Sequence, residues 1–234
     1  MGIKTIASIV GARPQFIKAA PLSRALASSF REVMIHTGQH YDYGMSEVFF
    51  TEMEMRPPDF NLGMGGGSHG EQTGKMLIEL EKIFNEVKPD CVLVYGDTNS
   101  TLAGALAAAK AGIPLAHVEA GLRSYNRAMP EEVNRVLTDH VSSMLFCPTD
   151  AAVENLAKEG IVKGVYRVGD VMCDALFHNL AKARMKSKIL KQLDLRTGRY
   201  ALATVHRAAN TDDAERMRSI LAALEMLATQ VVFP

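Results

Sequence analysis

Cysteine is scarce in this 234-residue chain. Cys91, Cys147 and Cys173 stand alone, with no CxxC pair. That excludes a disulfide framework and predicts buried free thiols in a reducing cytoplasm. A charge excess of either sign is also missing, since Lys plus Arg and Asp plus Glu each number 26. Without a global field the chain is not built to coat nucleic acid or a membrane surface, so any anion site is local. No apolar run approaches the roughly 18 residues of a transmembrane helix. The opening MGIKTIASIV runs straight into a strand-like pattern and lacks the order of a signal peptide. Ile6 stands where a myristoylation signal wants Ser or Thr. The histidines are scattered, with no HExxH or Cys/His cluster to hold a metal, and no GxSxG marks a serine hydrolase. The glycine-rich run at 65–70 matches neither a P-loop nor a dinucleotide fingerprint.

What is present is ordinary globular material, 47% hydrophobic and 22% charged, enough for a sizeable core. Short β-branched runs at 5–10, 33–37, 91–95, 114–118, 144–147 and 165–168 read as strands. Helical patterns fall at 14–28, 74–87, 100–111, 130–140, 151–158 and 171–185. Continuous apolar strands alternating with helices predict an α/β fold with a parallel sheet covered on both faces. In such sheets ligands bind beyond the carboxyl ends of the strands, where the strand order reverses. Residues 1–181 are expected to form that domain, and the polar, basic stretch 182–199 a linker. A strand at 201–205, a helix at 210–228 and a strand at 231–233 would begin a second domain that is unfinished at residue 234.

The chemistry-bearing residues follow strand ends. After the first strand come Gly11-Ala12-Arg13-Pro14-Gln15-Phe16-Ile17-Lys18. A sharp exit at Gly11, a helix start at Pro14 and the nearby cations Arg13 and Lys18 make a diphosphate site or, equally, a plain turn with solvated charges. Thr37-Gly38-Gln39-His40 follows the second strand. Tyr95-Gly96-Asp97-Thr98-Asn99-Ser100-Thr101 puts a carboxylate and a run of hydroxyls at the next strand end, more than one helix cap requires. In Ala116-His117-Val118-Glu119-Ala120-Gly121-Leu122-Arg123 a Glu ends an apolar strand, with Arg123 an available ion-pair partner. Met129-Pro130-Glu131-Glu132-Val133-Asn134-Arg135 opens a helix whose acids also suit the helix dipole. Thr204-Val205-His206-Arg207 occupies the corresponding place after the first strand of the second domain.

The conjunction GARPQFIKAAP, TGQHYD, VYGDTNSTLAGALAA, HVEAGLRS, PEEVNR and TVHRAAN resembles the UDP-N-acetylglucosamine 2-epimerase family, in family order and over essentially the whole chain. The resemblance implies a glycosyltransferase-B-like fold of Rossmann-like domains. It also implies an isomerase that works without nicotinamide or metal, and a homodimer. Asp97, Glu119, Glu131 and His206 are then the catalytic candidates. Arg13, Lys18, Gln39, His40, Thr98, Arg123 and Arg207 are the candidates for holding a UDP-sugar. Gln15 and the short loop 121–127 look like the subgroup acting on UDP-2,3-diacetamido-2,3-dideoxy-glucuronate. Hydrolysing relatives that release free ManNAc are a third reading, and a non-catalytic or dimerising fragment is the reading of another class. Ala209 stands where the family usually has Glu in its HRxEN motif. The family's later nucleotide-holding motifs are expected to lie beyond residue 234, which would leave the 234-residue chain weak or inactive.

Overall fold

The structure, a computed structural model, describes residues 2–39, 47–205 and 208–233. The chain divides into two compact units, residues 1–179 and 180–234.

In the first unit, β1 (Thr5–Val10) leads into α1 (Arg13–Leu26), β2 (Arg31–His36), α2 (Glu47–Glu52) and β3 (Phe60–Asn61). Then follow α3 (His69–Val87), β4 (Cys91–Tyr95), α4 (Asn99–Lys110), β5 (Leu115–Val118) and α5 (Pro130–Val141). The unit ends with β6 (Met144–Cys147), α6 (Asp150–Lys158), β7 (Val165–Arg167) and the start of α7 (Val171–Lys186). All seven strands are parallel, in the order β3-β2-β1-β4-β5-β6-β7. The order reverses between β1 and β4, so the crevice for a ligand lies beyond their carboxyl ends.

Strand alternation decides which helices cover which face. Ala7, Ile9, Val33, Ile35, Val92 and Val94 point to one side and pack under Met76, Leu80, Ile83 and Phe84 of α3 and the alanines of α4. Val10, Met34, Leu93, Tyr95, Ala116 and Val118 point to the other, against Phe16 and Ala19 of α1, Phe49 and Phe50 of α2, and Val171. Both faces are therefore apolar, as a buried parallel sheet requires. A third cluster joins Leu145 and Cys147 of β6 to Ala152 and Leu156 of α6.

Several boundaries differ from expectation. α3 begins at His69 rather than 74 because the Ser68 hydroxyl accepts from the Glu71 N–H (3.3 Å) and caps the helix across Gly70 and Gly74. The short α2 and β3 carry too little apolar periodicity to be read from sequence. The cysteines are not uniformly buried: Cys147 is, Cys91 is half-buried and Cys173 is exposed. Burial pushes the Cys147 thiol up to about 11, which keeps it protonated and inert.

The second unit holds the end of α7, α8 (Ile189–Gln192), β8 (Tyr200–Leu202), α9 (Ala208–Thr211), α10 (Ala214–Glu225) and β9 (Gln230–Val232). β8 and β9 are parallel, with Tyr200 opposite Gln230. The expected helix at 210–228 is broken, because the Asp213 carboxylate caps α10 by accepting from the Glu215 and Arg216 N–H groups (3.0 Å each). No residue of α10 is buried, since two strands offer a helix too little apolar surface to cover. Among the described residues no helix is long and apolar enough to cross a membrane.

Candidate active site

The crevice is built first by Gln15. Its side-chain carbonyl accepts from the Gly11 and Ala12 N–H groups (2.8 and 3.0 Å), and its amide donates to the Tyr95 carbonyl and the Thr101 hydroxyl (2.9 Å each). One buried side chain thus stitches the ends of β1 and β4 together at the switch point. Gly11 serves close approach: a Cβ there would collide with the hydroxyls of Thr37 and Ser100. Those hydroxyls bond each other (2.8 Å), and Ser100 donates to the Gln39 side chain through its N–H and its hydroxyl (3.1 and 2.7 Å).

Above this floor lie two ion pairs. Lys18, buried on α1, pairs with Glu119 directly after β5. Both sit over Gly96, where a Cβ would stand 3.1 Å from the Lys18 ammonium and 3.3 Å from the Glu119 carboxylate. The next residue, Asp97, pairs with Arg135 of α5. Two half-buried carboxylates, each with its own cation, therefore stand at adjacent strand ends. Glu119 holds φ of +73°, a left-handed conformation that costs a non-glycine residue about 1–3 kcal/mol and persists only where neighbours over-determine it.

Those neighbours are hydrogen bonds. The Glu119 and Ala120 N–H groups both donate to the Phe146 carbonyl (3.1 Å each). The Gly121 N–H donates to Asp139 (3.0 Å). Gly121, at φ of +79°, also lies where a Cβ would collide with the Ala152 carbonyl. Asp139 bonds Nδ1 of His117 (2.7 Å), and Nε2 of His117 meets the Gly96 carbonyl (2.7 Å). Burial acts to raise the Asp139 carboxyl, but His117 and Arg123 override it and hold it below the usual carboxylate range.

Arg123 lies in this network instead of facing Glu119. Its side chain is 1% exposed and bonds Asp139 and the Leu122 carbonyl (2.7 Å each) and both oxygens of Glu159 (2.7 and 2.8 Å). Burial opposes its charge, and the two carboxylates more than offset this, raising its pKa. Arg123 thereby holds Glu159 below the usual range as well.

The other expected residues are placed as follows. Thr98 is the N-cap of α4, accepting from the Thr101 N–H (3.3 Å). Arg13 opens α1 and is exposed. Glu131 is exposed on the first turn of α5, whereas its neighbour Glu132 turns inward and is 2% exposed. Glu132 accepts from the Ser124 N–H and hydroxyl (2.9 Å each) and the Tyr125 N–H (2.8 Å). Burial acts to raise the Glu132 pKa, and those donors with Arg135 lower it on balance. His40, His206 and Arg207 lie outside the described residues. Among the described residues no cluster of His, Cys, Asp or Glu could hold a metal ion.

Sequence reasoning missed Gln15 as a latch, His117, Asp139 and the Asn134–Arg135 pair. Asn134 donates to the Asp97 carbonyl (3.0 Å) and the Asn99 side chain (3.2 Å). A signal existed for His117: a polar ring inside a four-residue strand that is apolar around it must find buried partners.

Comparison with known proteins gives this constellation a context. A family model described as UDP-N-acetylglucosamine 2-epimerase matches residues 24–234. A Methanococcus maripaludis UDP-N-acetylglucosamine 2-epimerase homolog is 55% identical over 98% of this chain. The UDP-2,3-diacetamido-2,3-dideoxy-D-glucuronate 2-epimerase of Pseudomonas aeruginosa is 49% identical over 97%. The chain spans 64% of the length of each. A crystal structure of the Methanocaldococcus jannaschii UDP-GlcNAc 2-epimerase, in complex with UDP-GlcNAc and UDP, superposes with a TM-score of 0.90 at 46% identity. That match covers 98% of this chain and 65% of the other. The glycosyltransferase-B-like α/β class expected from the motifs is the one observed. On these matches, over nearly its whole length, the chain belongs to the UDP-N-acetylglucosamine 2-epimerase family.

Proposed function

We propose that this chain is part of an isomerase that interconverts UDP-N-acetylglucosamine and UDP-N-acetylmannosamine by inversion at C2. The observation that carries the reading is the Lys18–Glu119 pair lying over Gly96 beside the Asp97–Arg135 pair, at the point where the strand order reverses. No carbonyl carbon adjoins C2 of the sugar, so simple deprotonation there gives an unstabilised carbanion. Departure of UDP from C1 together with the C2 proton gives 2-acetamidoglucal instead. Readdition of UDP, with a proton delivered to C2 from the opposite face, completes the inversion. Such a route needs acid/base groups on both faces of the ring. Asp97, Glu119, Glu131 and His206 supply them in this reading. Cations and helix N-termini near the leaving diphosphate, among them Arg13 and Lys18, stabilise its charge. Gln39, His40, Thr98 and Arg207 help hold the substrate, and Arg123 supports the site from beneath.

Residues 200–234 form the opening β-α-β unit of a second Rossmann-like domain in this proposal, and the protein works as a homodimer in the cytoplasm. The kinship at 49% identity with an epimerase of UDP-2,3-diacetamido-2,3-dideoxy-D-glucuronate makes that sugar the second reading. The full-length protein is tested with each UDP-sugar in D₂O. Deuterium at C2 and a growing C2 epimer seen by proton NMR are the expected result. Absence of exchange with both sugars would falsify the assignment.

A further inference from the structure

The carboxylates Asp97 and Glu119 stand on different turns, which the backbone joins where the Gly96 N–H donates to the Val118 carbonyl (3.0 Å), one residue before each carboxylate. A second link between the turns lies underneath. His117 is the third residue of β5, with a side chain that is wholly buried. Its Nε2 holds the carbonyl of the peptide that joins Gly96 to Asp97 (2.7 Å). Its Nδ1 holds Asp139 (2.7 Å), whose other oxygen holds the N–H of the peptide that joins Ala120 to Gly121 (3.0 Å). Both ring nitrogens lie within hydrogen-bond distance of an oxygen, so the imidazole bridges the two partners. Arg123 bonds the same Asp139 oxygen and anchors it to Glu159 at the end of α6.

We propose that His117 and Asp139 are positioning residues: a buried couple that locks the β4 and β5 turns together and so sets Asp97 against Glu119 for the reaction. Three observations converge on it. The couple grips one peptide in each turn, the one that enters Asp97 and the one a residue beyond Glu119. Gly96, Glu119 and Gly121 all hold left-handed φ, of +62°, +73° and +79°, a path that needs restraint from outside the turns. The couple is also sealed, with His117 and Asp139 side chains both 0% exposed, so water cannot substitute for either partner. The Glu119 carboxylate is thereby kept on the Lys18 side of Gly96, one residue from Asp97.

The inference rests on the epimerase reading for its kinetic consequence, but the mechanical claim can be measured without turnover. His117→Gln and Asp139→Asn are made in the full-length protein, with Leu80→Ala as a control that loosens α3 packing in a cluster that contains no residue of either turn. Well below each melting temperature, both site variants are expected to lose about 10²-fold in kcat for UDP-GlcNAc, the usual effect of a 1 Å misplacement. Their KM should stay within about threefold, since neither residue touches substrate. Leu80→Ala should keep its kcat. In parallel, amide hydrogen exchange followed by mass spectrometry should quicken about tenfold or more in the peptides carrying Gly96 and residues 119–121, and not in β1. Unchanged exchange in both turns overturns the proposal, as does an equal loss of kcat in Leu80→Ala. Should His117→Gln fail to fold, Asp139→Asn, which preserves shape, carries the same comparison. If the wild-type protein shows no epimerisation at all, the functional reading falls, and the exchange data alone decide whether the couple locks the turns.

Discussion

Gln15 is a short polar side chain that makes four buried hydrogen bonds to two strand ends, and it is 1% exposed. Replacing it by Leu strands the Gly11 and Ala12 N–H groups in a dry interior. Urea unfolding is expected to show a loss of about 3 kcal/mol, given the roughly 1–3 kcal/mol cost of each unsatisfied buried group. A loss below about 1 kcal/mol would mean that water or a neighbour takes its place. For the proposed chemistry, Asp97→Asn, Glu119→Gln, Glu131→Gln and His206→Asn should each lower kcat by about 10²-fold or more, the scale of positioned acid/base groups. Slowed readdition lets the intermediate escape, so the impaired variants should release 2-acetamidoglucal and UDP, detectable by NMR. Variants that are fully active, or dead with no glycal, would contradict these roles.

Helix α5 shows why a motif can be legible while its work is not. The run PEEVNR announces a helix start correctly, with Pro130 at the first position. The sequence also shows two adjacent acids, but only packing decides that Glu132 turns in to the loop at 124–125 and Glu131 turns out. Asn134, Arg135 and Asp139 then reach the Asp97 carbonyl, the Asp97 carboxylate and the His117–Gly121 junction. Strands were readable because both faces are apolar and each run is continuous. Side-chain partners between distant elements leave no such period, and His117 was passed over for that reason. The same helix predicts a pH response. Asp139 and Glu132, with Glu159 beside them, have carboxyl pKa values lowered in the fold. A lowered folded-state pKa stabilises above the unfolded value, near 4, and that stability is lost as pH falls through the folded value. The melting temperature should therefore be insensitive to these groups between pH 7 and 5 and fall steeply below about 4. Asp139→Asn should start lower and lose less on acidification. An equal acid slope in the variant would show that this carboxylate does not contribute to it.

At the scale of the whole molecule, the boundary between units falls within α7, after Asn179, and the segment that follows is mostly exposed. The basic composition of 182–199 suggested a connection, and the helix expected at 171–185 runs into it as far as Lys186, but α8 inside it was not expected. If residues 200–234 begin a second domain, brief trypsin treatment should cut first within 182–199 and leave the seven-stranded unit intact. Uniform protection of that stretch would argue against a boundary there.

The strand order also sets a timetable. Thr5 faces Arg31 across β1 and β2, whereas Ile6 on the same strand faces Cys91 across β1 and β4. The first pairing closes a short loop, and the second waits for a long one. A chain emerging from the ribosome can wind β1 to β3 early, then β4 to β7 upon one another. Closing the seam between the halves is the long-range step, and Gln15 is the stitch across it. The crevice proposed for catalysis lies along that seam, so the first unit's share of the site forms only when its sheet is complete. A nascent chain halted before Tyr95 carries Lys18 without its partner Glu119, and Gln15 without the strand end it latches.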